Sequence, residues 1–191
     1  MPRVIRRALF EKLGRLPEWT TFREDFHAAT GLRLKLVDEL GRRTSTSPYQ
    51  AELCCRMEES PTGRFYCERF RQAMLADIGD APVRATCDAG LTEVAVPLRI
   101  SGIRVGYLLF LGFRFTHAEE ADLKRARHLL DKAGIDLPPE VIENGLRSTP
   151  VIALRAGDAY TRFVEMAARQ IAEKLTAHPV SYTHLRAHET F

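Results

Sequence analysis

The chain has 191 residues, 45% of them hydrophobic and 28% charged, with a net charge of +3, a balance that describes one globular domain and excludes a disordered, fibrous or membrane protein. No apolar run approaches the ~18 to 20 residues needed to span a bilayer, and the opening MPRVIRRALFEKLG is charged and amphipathic without a small-residue cleavage site, so a cytoplasmic protein with no membrane partner is expected. Beyond Arg3, Arg6 and Arg7 there is no second basic run and no helix-turn-helix signature, so the chain itself is not expected to bind nucleic acid.

In chain order, PEWTTFREDFHAATG follows an N-terminal helical stretch. Pro17 suits a first helical position, Gly31 suits a left-handed helix end, and Trp19, Phe22, Phe26 and Ala29 share one face. LRLKLV then alternates with period two, and DELG turns it into RRTST, a half-buried first hairpin. SPYQAELCCRMEES reads as a helix capped by Ser47 with Pro48 next and Gln50 three residues on. RFYCERFRQAMLADIG is a second helix, with Cys67, Phe70, Met74 and Ile78 on one side.

Three strands follow. VRATC is short, TEVAVPLRI alternates, and IRVGYLLFLGFRF is nearly continuous in apolar residues and therefore expected at the centre of the sheet. SG joins the last two as a two-residue hairpin loop, and Pro97 implies that its strand lacks a hydrogen-bonding neighbour there or is bulged. THAEEADLKRARHLLDKAG is a helix with Thr116 and Glu119 in capping-box relation. A proline-rich loop around Pro138 and Pro139 leads to a final helix from about Pro150, striped by Tyr160, Val164, Ala167, Ile171 and Leu175. That stripe either packs on its own sheet or pairs with a second subunit to give a homodimer through the C-terminal helix; about two heptads are marginal for a coiled coil, and the two readings stand level. The order predicts an α+β domain: a PAS-like five-stranded antiparallel sheet, helices packed on one face, and flanking N- and C-terminal helices.

The last stretch, VSYTHLRAHETF, fits nothing before it and resembles the translation of a transposase-type sequencing adapter. Residues 180–191 are therefore expected to be non-native, the natural chain continuing past Pro179, and residues 1–179 to form a single sensory domain with its core at about 18–135 and a signalling helix at about 150–178.

Three segments, FHAATGLRLKLVDELGR, SPYQAELCCRMEESPTGRFYC and CDAGLTEVAVPLRISGIRVGYLLFLGF, resemble in order and spacing the sensory domain named for the regulator PocR. The resemblance runs from Phe22 to Phe113. It places the family's first cysteine on Cys54 or Cys55, the second on Cys67 and the third on Cys87, with Asp88 where the family usually has histidine, and with Gly90, Leu91, Pro97 and Gly106 matching. It implies a PAS-like bacterial ligand sensor for signal transduction or transcription regulation, associated with small hydrocarbon derivatives such as diols. DNA would then be reached only through a missing downstream AraC-type domain, the alternative output being a histidine-kinase module. The ligand is expected at Cys55, Cys67, Cys87, Asp88, Gly90, Gly106 and Tyr107.

Read as residues, Gly90 permits a positive φ between two strands, and Gly106 leaves room for a ligand or a closely packed helix. Asp88 either bonds its own backbone in the turn or points a carboxylate into the cavity. The four cysteines are expected as free thiols, packed as small hydrophobes or gathered as a zinc, iron or redox cluster of Cys54, Cys55, Cys67 and Cys87. Their spacing includes no CxxC, and adjacent helical residues point about 100° apart. No nucleophile elbow, P-loop, HExxH or dinucleotide signature occurs, so an enzyme is not expected and the one chemistry left open is thiol-based.

Overall fold

The computed structural model describes residues 3–42, 52–76 and 78–177. Helices α1 (Arg3–Gly14) and α2 (Pro17–Thr30) lead into strand β1 (Arg33–Asp38), and α3 (Glu52–Glu59) and α4 (Pro61–Ala76) form the helical pair. Strands β2 (Val83–Thr86), β3 (Thr92–Ile100) and β4 (Ile103–Phe113) follow, then α5 (Glu120–Lys132), α6 (Pro139–Arg147) and α7 (Leu154–Ala177). The described strands make one antiparallel sheet in the order β1-β4-β3-β2, with β4 between two neighbours as its apolar run predicts. The fifth expected strand, RRTST, falls largely on residues outside those described, as do the Ser47 capping box and the segment 180–191.

Local chemistry accounts for most boundaries. Pro17 occupies the first turn of α2, and Gly31, at φ 70°, ends it by donating its N–H to the His27 carbonyl at 2.8 Å. Ser101 and Gly102 both take positive φ in the loop between β3 and β4, as a two-residue hairpin requires. The β2 ladder runs only to Ala95, so Pro97 has β4 on one side and no β2 residue on the other, which tolerates its missing N–H.

Three expectations change. The capping box of α5 is formed by Glu119 and Asp122, not Thr116 and Glu119, because the Asp122 carboxylate accepts the Glu119 N–H at 3.0 Å. Pro138 and Pro139 open a helix instead of a loop, Pro139 at the first turn of α6, where Ile142 and Leu146 are buried. The last helix begins at Leu154, because the chain before it bridges Arg114: Arg114 N–H donates to the Pro150 carbonyl and Ile152 N–H to the Arg114 carbonyl, each at 2.9 Å.

The largest difference is that helices cover both faces of the sheet. Leu34, Leu36, Val94, Val96, Leu98, Leu108 and Phe110 point toward α1, α2 and α7, packing on Phe10, Leu13, Trp19, Phe26, Val164 and Ile171. Of the α7 stripe, Val164, Ile171 and Leu175 are buried in this core with Tyr160 at its edge and Ala167 half-buried, while Phe163, half exposed, packs on Phe22 and Phe26, and Met166 is exposed. Val37, Ala95, Tyr107, Leu109 and Leu111 point the other way, toward Met74, Leu75 and Ile78 at the end of α4. Period two in the strands therefore separates two buried faces, and Arg33 and Lys35, which alternate with the leucines of β1, are 6% and 3% exposed.

Gly106 belongs to the first of these faces. A Cβ there would stand 2.5 Å from the Val37 carbonyl oxygen and 2.6 Å from Phe10 Cε2, so the glycine lets α1 seat against β4. Gly106→Val is expected to cost about 1 to 3 kcal/mol by overpacking. Thermal unfolding should show a Tm lower by several degrees; an unchanged Tm would mean that α1 does not dock there.

Candidate functional site

The joint between β2 and β3 is closed by backbone hydrogen bonds, with the Thr86 and Thr92 hydroxyls 3.4 Å apart at its base. Cys87 N–H donates to the Leu91 carbonyl at 2.9 Å and Gly90 N–H to the Cys87 carbonyl at 2.8 Å, with Gly90 at φ 77°. Asp88 is exposed, and its carboxylate has no hydrogen bond among the described residues, so the turn does not depend on it. The far side of Gly90 is occupied: a Cβ there would meet Arg114 Nη1 at 2.6 Å and Asp122 Oδ1 at 3.2 Å. Arg114, itself buried, donates to the Gly90 carbonyl at 3.0 Å and pairs with Asp122, fastening the joint to α5.

A cavity lies beside this joint on the sheet face covered by α4. Its wall is Leu53, Cys54, Met57 and Glu58 from α3, Tyr66, Cys67, Phe70 and Arg71 from α4, and Cys87, Asp88, Ala89, Leu91 and Glu93 from the joint and β3. Leu111, Gly112 and Leu129 complete it. The cavity volume is about 60 Å³, room for a small guest. Of the residues singled out from sequence, Cys67, Cys87, Asp88 and the candidate metal ligand Cys54 meet at this wall. Cys55 is not part of the wall, Gly90 and Gly106 face other side chains, and Tyr107 packs with Met74, Leu75 and Ile78 beneath the Arg104 guanidinium, 5.5 Å from its ring.

Four charged side chains that sequence reading passed over fasten the cavity floor. Lys35 Nζ donates to Glu58 Oε1 at 2.9 Å, Arg71 Nη2 reaches the same oxygen at 3.4 Å, and Arg71 Nε donates to Glu93 Oε2 at 3.2 Å. All four are buried, and together they tie α3 and α4 to β1 and β3. Burial works against the Arg71 charge, yet the paired Glu93 carboxylate holds its pKa above the ordinary arginine value. One signal was available: position 71 is four residues after Cys67, on the apolar side of α4.

All four cysteines are free thiols. Burial pushes Cys67 up from near 9 to about 12 despite the Arg71 charge, and Cys87 likewise to about 12 despite N–H groups of Leu91 and Ala89 at its sulfur. Cys54 and Cys55 are raised for the same first reason. A thiolate nucleophile needs the opposite shift. Among the described residues no three His, Cys, Asp or Glu side chains are grouped so as to hold a metal ion. The folded state keeps protons that the unfolded chain releases above about 9. This stabilising contribution is whole below that pH and lost as pH rises toward 12. Tm is expected to hold level to about pH 8.5 and then fall, less steeply in Cys67→Ala/Cys87→Ala; an equal slope in the variant would place the titration elsewhere.

No described helix is long and apolar enough to cross a membrane. The family model described as the sensory domain found in PocR matches residues 13–176. No curated protein and no solved structure matches the chain. A match over that much of the chain, from the end of α1 to the end of α7, identifies the protein as a member of the PocR sensory-domain family.

Proposed function

We propose that this domain is the small-molecule receptor of a bacterial signalling or transcription-regulatory protein, binding a small, weakly polar metabolite in the cavity between α3, α4 and the β2–β3 joint. The observation that carries this is the composition of the wall: leucine, methionine, aromatic and thiol groups around a small space, with Asp88 at its rim. That is the arrangement of a ligand site, mostly apolar with a few groups that orient the guest. The ligand-binding role assigned to Cys67, Cys87 and Asp88 follows from this reading, with Cys54 joining them. Output passes to a downstream DNA-binding or kinase module, with α7, which spans the opposite face, as the element leading to it. The raised thiol pKa values speak for protonated wall groups over a redox enzyme.

Thermal-shift titration with short alcohols, diols, aldehydes and hydrocarbons tests the reading. A binder present at a hundred times its Kd stabilises the fold by about 2.7 kcal/mol, a Tm rise that Cys67→Leu, which fills the cavity, should remove. Asp88→Ala should weaken alcohols and diols more than apolar guests. Absence of any shift across the panel would reject the reading.

A further inference from the structure

The side of α7 turned away from the sheet carries a seam of its own. Ala159, Phe163, Met166 and Gln170 follow one another at spacings of four, three and four, which sets them on one line along the helix. All of them are exposed, Phe163 by 50% and Met166 by 56%. Phe163 is held in place: its ring centroid lies 5.8 Å from that of Phe22 and is stacked on Phe26 at 6.3 Å, so the apolar surface continues onto α2.

Charge is sorted to the two edges of this surface. Arg155, Arg162 and Arg169, each seven residues from the next, form an exposed column, and none of them makes an ion pair among the described residues. On the helical wheel this column lies opposite Tyr160 and Lys174, the side of α7 that meets α2. The other edge is α2 itself, where Glu18 and Asp25, also seven residues apart, are exposed beside Phe22. The two helices run in opposite directions here: Lys174, late in α7, donates to Glu18 at 3.1 Å, while Phe26, a few turns into α2, meets Tyr160 with ring centroids 6.1 Å apart. Glu18 therefore lies nearer the level of Arg169 and Asp25 nearer that of Arg162, each pair spanning about 10.5 Å of helix.

Two copies of such a face fit together in one orientation. Seated antiparallel, they would bring arginine column against arginine column. Seated parallel, about a twofold axis running along the seam, the basic edge of each copy meets the acidic edge of the other, and the fit is made twice over. We propose that this face is a homodimer interface with the two α7 helices parallel. Phe163 and Met166 lie at its centre, and Arg162 and Arg169 stand against the partner's Asp25 and the partner's Glu18. The stripe singled out in the sequence, Tyr160 to Leu175, is the other side of the same helix. The proposed interface is separate from the cavity, which lies across the sheet, so its failure would leave the receptor reading in place.

Sedimentation velocity on the full chain, over a roughly hundredfold range of concentration, is expected to show a monomer–dimer equilibrium that weakens as salt is raised. Met166→Asp, at an exposed position, should leave only monomer. Arg162→Glu and Asp25→Arg should each raise the dimer Kd roughly tenfold. An equimolar mixture of those two variants should regain the wild-type affinity, because each copy then offers the charge that the other lacks, a recovery that damage to either fold could not produce. A wild type that is monomeric throughout overturns the proposal and leaves the face to a partner of another kind or to solvent. A dimer indifferent to Met166→Asp also overturns it. A dimer tightened by Arg162→Glu, with no gain on mixing, would mean antiparallel pairing and would overturn it as well.

Discussion

Arg71→Ala should cost about 3 to 5 kcal/mol, the typical consequence of removing one partner from a buried ion pair. It should lower Tm on the order of ten degrees for a domain of this size. Two carboxylates depend on this guanidinium. Glu58 retains Lys35 at 2.9 Å, but Glu93 loses both of its described donors and is left charged between β3 and α4. The loss should be largely recovered by Arg71→Met/Glu93→Leu, which removes both members and fills the space with apolar atoms. Denaturant unfolding of the single and double variants reads this directly. A double variant no more stable than Arg71→Ala would show that a stranded Glu93 carboxylate is not the source of the loss.

Gly63→Ala is the second severe change. Gly63 sits in the first turn of α4, where a Cβ would stand 2.3 Å from the Met57 carbonyl oxygen and 2.9 Å from Met57 Cα. These are backbone atoms and cannot rotate aside, so α3 and α4 must part. A cost of about 3 kcal/mol, the upper end for overpacking, is expected. Function should suffer with it, because α3 supplies Cys54, Met57 and Glu58 to the cavity while α4 supplies Tyr66, Cys67 and Arg71. Gly79→Ala, with no atom within 4 Å of the new carbon, is the control and should be neutral. If Gly63→Ala matched it in Tm, the close seating of the two helices would be refuted.

The features legible in the sequence are those fixed by a few neighbouring residues. Pro17 and Gly31 bracket α2, Ser101 and Gly102 make the hairpin loop, and the apolar run of β4 marks the central strand. Features that depend on what covers a surface were not legible. Arg33 and Lys35 alternate with leucines as solvent-facing residues do, and only the docking of α3 and α4 on that face buries them. Glu93 reads as the polar phase of a half-exposed strand for the same reason. Gly106 lies in the central strand, as its place in the apolar run implies, but which face it serves depends on Phe10, almost a hundred residues earlier. The cysteines were found as a group, yet which of Cys54 and Cys55 faces the wall follows from the rotation of α3, which no spacing rule supplies.

The most direct test of the receptor account is an amide and methyl chemical-shift titration of the isotopically labelled protein with the tightest-binding small guest of the panel. The account predicts saturable perturbations centred on Cys54, Met57, Cys67, Asp88, Leu111 and Gly112, with residues on the α1–α2–α7 face changing little. Perturbations centred on Phe10, Trp19 and Val164, or none at all, would contradict it.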